Sequence, residues 1–140
     1  MALSIKKLII VVAMFLLSGC YPINKTLQPA SMITVQNESG EPLQDATVTL
    51  VSNAYPYGFE KTRMSIDTNY KGEAVFPKIK EWRVEALMIH GAEVYFWNWC
   101  VYKEGYFTYL TKNGSSKDFN RNATITMLPG ASEPCPREFN

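Results

Sequence analysis

Histidine is the scarcest reactive residue in this chain, with one in 140 residues. Any Ser-His-Asp or Cys-His device would have to centre on His90. That residue stands beside Gly91, where a histidine reads as a solvated or capping turn residue. Cysteine is nearly as scarce, with three. Setting Cys20 apart, as argued below, leaves two cysteines and one histidine, which cannot fill a four-ligand zinc site without carboxylates from elsewhere. An excess of one charge is missing as well. Fourteen Lys and Arg against 13 Asp and Glu give a formal charge of +1, which excludes a basic surface for nucleic acid and a polyanionic one. No glycine-rich phosphate loop is present. Asp67, Asn69 and Gly72 mimic the start of a calcium loop, but Lys71 and Lys78 stand where oxygen ligands belong. These absences argue against an enzyme, a metal site or a bound cofactor.

Long apolar runs are absent after the N-terminus, where Leu8 to Leu17 is unbroken. Lys6 and Lys7 precede it as a positive flank. The run suits the ~7–15 apolar residues of an export signal and falls short of the ~20 that cross a bilayer. An uncleaved anchor is the alternative. Leu17-Ser18-Gly19-Cys20 closes the run and resembles the lipobox of bacterial lipoproteins. The resemblance implies that residues 1–19 are a signal peptide and that Cys20 becomes a lipidated N-terminus. Tyr21 stands where that family's inner-membrane retention signal would be Asp. The outer membrane, facing the periplasm, is therefore the implied address in the cell envelope.

Processing changes the arithmetic. Removing 19 of 140 residues leaves 121, enough for one domain with a single core. Loss of Lys6 and Lys7 turns the charge of +1 into −1. One acyl chain holds a protein marginally and two hold it firmly, so the family's diacylglyceryl group implies stable attachment. Lipidation of Cys20 leaves Cys100 and Cys135, natural partners for a disulfide in an oxidising periplasm. The alternative is a buried Cys100 with a free Cys135.

The mature sequence reads as short strands separated by turns. Pro22, Pro29 and small polar residues make 20–31 a candidate lipidated tether. Ile33 and Val35, then Ala46, Val48 and Leu50, alternate with polar residues at the period of two that marks half-buried strands. Asn37 to Pro42 is a turn in which Gly40 is free to take positive φ. Asn69 and Gly72 are expected to do the same in the next hairpin. Asn53 to Gly58 reads as loop. Trp82, Val84, Ala86 and Met88 share one parity, so 79–90 is expected to form a hairpin with Val94–Tyr102 through His90-Gly91-Ala92. A helix over 79–90 competes. Tyr106–Thr111 and Ala123–Leu128 complete the set. The expected fold class is all-β, a single antiparallel sandwich over 32–129 with a C-terminal tail at 130–140.

Three pieces, in order, are similar to carboxypeptidase-regulatory-like domains. Val35 to Leu50 carries a strand, a Gly-containing turn and an Ala-x-Val-x-Leu strand. Thr68-Asn69-Tyr70-Lys71-Gly72-Glu73-Ala74-Val75-Phe76 resembles the family's Thr-Asp-x-x-Gly-x-x-x-Phe hairpin, with Asn69 in place of Asp. Val101-Tyr102-Lys103-Glu104-Gly105-Tyr106 resembles its Val-x-x-x-Gly-Tyr strand end. The resemblance implies a transthyretin-like sandwich of about seven strands. It transfers no catalytic residue, and Trp82–His90 departs from the pattern.

Aromatics concentrate between Tyr95 and Tyr109. Trp97, Trp99 and Val101 share one face of a strand, and Phe96, Asn98, Cys100 and Tyr102 share the other. Val101 falls on the family's core-facing position, which puts Trp97 and Trp99 inside. Phe96, Tyr102, Tyr106 and Tyr109 are then the candidate binding surface, for a glycan or a partner protein. The alternative covers both faces, with a Cys100–Cys135 bridge laying the tail over the even-numbered one. The expected function is a lipid-anchored, non-catalytic binding or structural module of the envelope. A carbohydrate or peptidoglycan binder, or an assembly subunit like the type VI secretion outer-membrane lipoprotein, is the alternative. Its partners would be the membrane, through the lipid, and an envelope protein or glycan.

Overall fold

The structure is a computed structural model that describes residues 2–17, 19–86 and 92–137. Ser18 of the lipobox, Met88 and the expected His90-Gly91 turn lie outside the described residues. Helix α1 (Ala2–Leu17) is followed by β1 (Cys20–Gln28), β2 (Ser31–Gln36), β3 (Thr47–Tyr55), β4 (Phe59–Asp67) and β5 (Glu73–Phe76). Then come β6 (Ile79–Ala86), β7 (Val94–Tyr102), β8 (Tyr109–Leu110) and β9 (Asn122–Thr126). The chain is all-β beyond α1.

Seven strands form two facing sheets, ordered β4-β3-β7-β8 and β5-β2-β9, and β1 pairs with β6 in a separate two-stranded ribbon. The expected sandwich is present, with one departure from a wholly antiparallel plan. β9 runs parallel to β2, with Val35 opposite Ile125. Strand β3 is the hub of the larger sheet. Its pairing with β7 sets Leu50 opposite Trp99 and Val48 opposite Val101, so four core residues meet in one register. The inner layer joins them to Ile33, Val35, Phe76, Ile125 and Met127. Trp99, at 2% exposure, fills the centre. Phe76 and Phe119 each lie 5.2 Å from its ring, and its Nε1 donates to the Asn120 carbonyl at 3.0 Å.

Two turns at one end of the sandwich have the same construction. In Asn37–Glu41 and Asn69–Glu73, the asparagine Oδ1 accepts from the backbone N–H groups two and four residues on. The backbone closes identically, with Gly40 and Gly72 donating to the asparagine carbonyls. Both glycines hold positive φ. Asn69 does not: it shapes the turn through its side-chain oxygen, because that acceptor replaces a backbone carbonyl.

Three further sequence expectations need correction. Residues 20–28 are a paired strand, not a slack tether. Tyr21, Ile23 and Lys25 are half-buried while Cys20, Pro22 and Asn24 are exposed. Pro22 is tolerated because each strand of a two-stranded ribbon has an unpaired edge. Second, β6 is neither a helix nor the hairpin partner of β7, for all its residues from Ile79 to Ala86 pair with β1. Parity identified the strand correctly; chain proximity named the wrong neighbour. Third, the loop expected at 53–58 is shorter, since β3 runs to Tyr55 and β4 starts at Phe59. Asn53 Nδ2 donates to the Gly58 carbonyl at 3.0 Å and closes that connection, next to a cis Tyr55–Pro56 bond.

Candidate functional site

The apolar run forms α1, and its described side chains from Ile5 to Met14 are exposed on every side. Sixteen residues at ~1.5 Å each span about 24 Å, less than the ~30 Å hydrocarbon core. No helix among the described residues is long and apolar enough to cross a membrane. Gly19 follows with positive φ and open space around it, and Cys20 is exposed with a free thiol.

The other two cysteines are bridged. Cys100 is fully buried on β7, and Cys135 reaches it from the tail with the Cα atoms 6.0 Å apart. The tail is held at further points. Arg63 Nη2 donates to the Arg137 carbonyl at 3.0 Å, Gly105 N–H donates to Ser132 Oγ at 2.7 Å, and Thr108 Oγ1 donates to the Glu133 carbonyl. Segment 131–137 therefore caps the outer face of the four-stranded sheet, which explains why β7 is buried on both faces.

The four candidate aromatics are not one surface. Phe96 is 8% exposed and covered by Tyr55, with ring centroids 4.9 Å apart. Tyr102 is half-buried at the other end of β7. Tyr106 packs against the hydrophobic core, and Tyr109 stands exposed on β8. Phe96 alone borders the cleft found on this side of the sheet. That cleft holds about 610 Å³ and is lined by Tyr55, Tyr57, Phe96, Lys112, Asn113 and Pro136, among others. Tyr57, 70% exposed, stacks 5.7 Å from Phe59 at the rim.

The cleft's shape comes from a buried amide. Asn98 Oδ1 accepts from Thr111 Oγ1 at 3.0 Å and from Asn113 N–H at 2.6 Å. Asn113 Nδ2 in turn donates to the Trp97 carbonyl at 2.9 Å. Tyr55 Oη donates to the Gly114 carbonyl at 3.0 Å, so the 112–114 segment is bound to both walls. The sequence reading missed Tyr55 and Tyr57 because they sat in an apparent loop. An alternation running on through Ala54 into Tyr55 was the available signal.

A charge cluster docks the ribbon onto the sandwich corner. Glu93 receives Lys61 at 2.5 Å, Tyr95 Oη at 2.9 Å and Arg83. Burial alone would push the Glu93 carboxyl up, but Lys61, Tyr95 and Arg83 outweigh it and hold the group below the usual carboxylate range. Burial and the hydrogen bond to Glu93 push the Tyr95 phenol up to about 12. Lys25 and Glu85 pair within the ribbon itself. Among the described residues no group of three His, Cys, Asp or Glu is placed to hold a metal ion. In the calcium-like stretch, Asn69 Oδ1 is occupied by backbone N–H groups and Asp67 accepts from Thr47 Oγ1. No family model matches this chain, and neither a curated protein nor a solved structure matches it.

Proposed function

We propose that this chain is a lipid-anchored protein of the bacterial cell envelope, exported by its N-terminal signal and acylated on Cys20. Its β-sandwich serves as a non-catalytic binding or structural module. The observation that carries the reading is the junction at Gly19-Cys20. A helix whose apolar run from Leu8 follows Lys6 and Lys7, with its described side chains exposed, ends three residues before the one free, exposed cysteine, while the other two cysteines are bridged. An apolar surface that size is unstable in water, so it belongs in a membrane or is removed. The buried disulfide supports an oxidising compartment. A sandwich of four strands on three supports the transthyretin-like resemblance.

Cys20→Ala tests the anchor. Wild type grown with a radiolabelled fatty acid is expected to carry label and to be cut to the chain starting at residue 20. The variant is expected to remain an unlabelled precursor. Equal labelling of both chains would sink the reading.

The cleft favours a glycan as the module's ligand. Its volume lies within the ~300–1,000 Å³ of small-molecule sites. Tyr57 offers an exposed ring face, and Lys112 with Asn113 supplies polar groups beside it. Titration of the mature domain with peptidoglycan disaccharides is expected to perturb Tyr55, Tyr57 and Phe96 in NMR spectra. Perturbation absent there, with binding retained elsewhere, would remove the cleft.

A further inference from the structure

We propose that the outward face of the β1–β6 ribbon lies against the bilayer holding the Cys20 lipid, with Trp82 and Val84 seated at the headgroup–acyl boundary. The inference rests on Cys20 being the acylated N-terminus. Register supplies the geometry. Cys20 pairs with Ala86, Pro22 with Val84 and Asn24 with Trp82, and directly opposed residues leave an antiparallel pair on the same side. The lipid-bearing side chain, Val84 and Trp82 thus project from one face. Trp82 is 71% exposed and Val84 73%, and no described large apolar side chain is more exposed than Val84.

The two faces of the ribbon have opposite character. On one side, Lys25 and Glu85 pair across the ribbon, and Arg83 reaches Glu93 to dock it to the sandwich corner. The outward side has no carboxylate: Glu81 and Glu85 both belong to the docked side, and Lys80 closes the outward row beside Trp82. That face sets Pro22, Val84, Ala86 and Trp82 beside the neutral Asn24 and Thr26 and one cation, a composition that suits an anionic headgroup layer. Tryptophan favours this boundary because its ring is apolar and its N–H can stay hydrated.

Distance makes the bilayer the occupant. Pairing begins at Cys20 itself, so no slack chain separates the lipid from the ribbon. Trp82 lies four register positions along, about 13 Å at ~3.3 Å per residue. A ribbon bound at its first residue to a lipid glycerol cannot hold this face far from the membrane. The domain therefore stands on the membrane by a covalent lipid and an apolar footprint beside it.

The test uses the acylated chain in vesicles of phosphatidylethanolamine and phosphatidylglycerol, with and without acyl chains brominated near the headgroup. Trp97 and Trp99 are buried in the core, so lipid quenching reports Trp82. Wild type is expected to lose part of its tryptophan emission to brominated lipid. Trp82→Phe is expected to show none of that loss while floating with vesicles as wild type does. Flotation with a labelled Cys20, but with Trp82 unquenched by lipid and open to acrylamide, would overturn the footprint and leave the anchor standing. Protection of Trp82 that follows protein concentration rather than lipid would assign the face to a second copy and also overturn it. Failure to float, with no label on Cys20, would overturn the anchor first and the footprint with it.

Discussion

Trp99, on β7, and Tyr57, in the turn between β3 and β4, are both large aromatics, and burial gives them opposite roles. Trp99 is enclosed by Phe76 and Phe119 and donates through its indole. Replacing it with alanine is expected to cost about 3–5 kcal/mol, because the cavity cannot collapse against two rigid rings. Urea unfolding of the mature domain measures this, and an unchanged midpoint would contradict the packing. Tyr57→Ala should change the unfolding free energy by no more than about 0.5 kcal/mol while weakening glycan binding. Glu93 makes a prediction about acid. Its folded carboxyl titrates below the usual 4.5, so the unfolded chain takes up that proton first as pH falls. The stabilisation is present above about pH 4.5 and is lost as pH drops through the lower folded value. Urea midpoints at neutral pH and near pH 3 should therefore differ more for wild type than for Glu93→Gln. The effect is modest, since the carboxylate keeps 27% of its side-chain exposure.

At the scale of elements, the twin asparagine turns offer a controlled comparison. Gly40 and Gly72 have φ of 79° and 73° and the same hydrogen bonds around them. A Cβ at Gly40 would meet nothing within 4 Å, whereas one at Gly72 would lie 2.3 Å from the Val35 carbonyl oxygen. Gly40→Ala is expected to cost only the left-handed penalty, about 1–2 kcal/mol. Gly72→Ala must also push apart the backbone of β2, so thermal melts should rank it clearly below Gly40→Ala. The tail is the second such element. The Cys100–Cys135 bridge spans a sequence separation of 35, and closing a loop of that size stabilises by roughly 3–4 kcal/mol in the chain-entropy model. Reduction is expected to lower the melting temperature and to open residues 131–137 to proteases, because the bridge anchors that segment over Asn98 and Phe96. A tail equally resistant when reduced would show that Arg63, Ser132 and Thr108 suffice.

Considered whole, the molecule is a sandwich with two appendages, a docked β1–β6 ribbon and an undocked α1. The ribbon is tied to the sandwich through Glu93 and through the Leu27 carbonyl, which accepts from both Ser52 Oγ and Trp97 Nε1 at 2.8 Å. Helix α1 exposes its described apolar side chains instead of burying them. A chain beginning at residue 20 is therefore expected to melt at the same temperature as the full chain in detergent. A lower value would mean that α1 packs on the sandwich.

Local patterning alone determined much of this protein. Alternation at Val48 and Leu50 marked β3, parity set Trp97, Trp99 and Val101 on one face, which only the family resemblance turned inward, and the glycines marked both turns. These features depend on neighbours two to four residues away, which a linear sequence displays directly. An odd cysteine count with one candidate lipid acceptor similarly singled out Cys100 and Cys135. The tertiary structure decided everything that depends on which distant segments meet. β6 pairs with β1 instead of β7, whose partners are β3 and β8. Phe96 passed from expected surface to cleft wall because Tyr55 closes over it, and the parallel β2–β9 pair required a crossing between sheets. Strand alternation says which face is apolar, but the partner that covers it is chosen by packing across the whole fold.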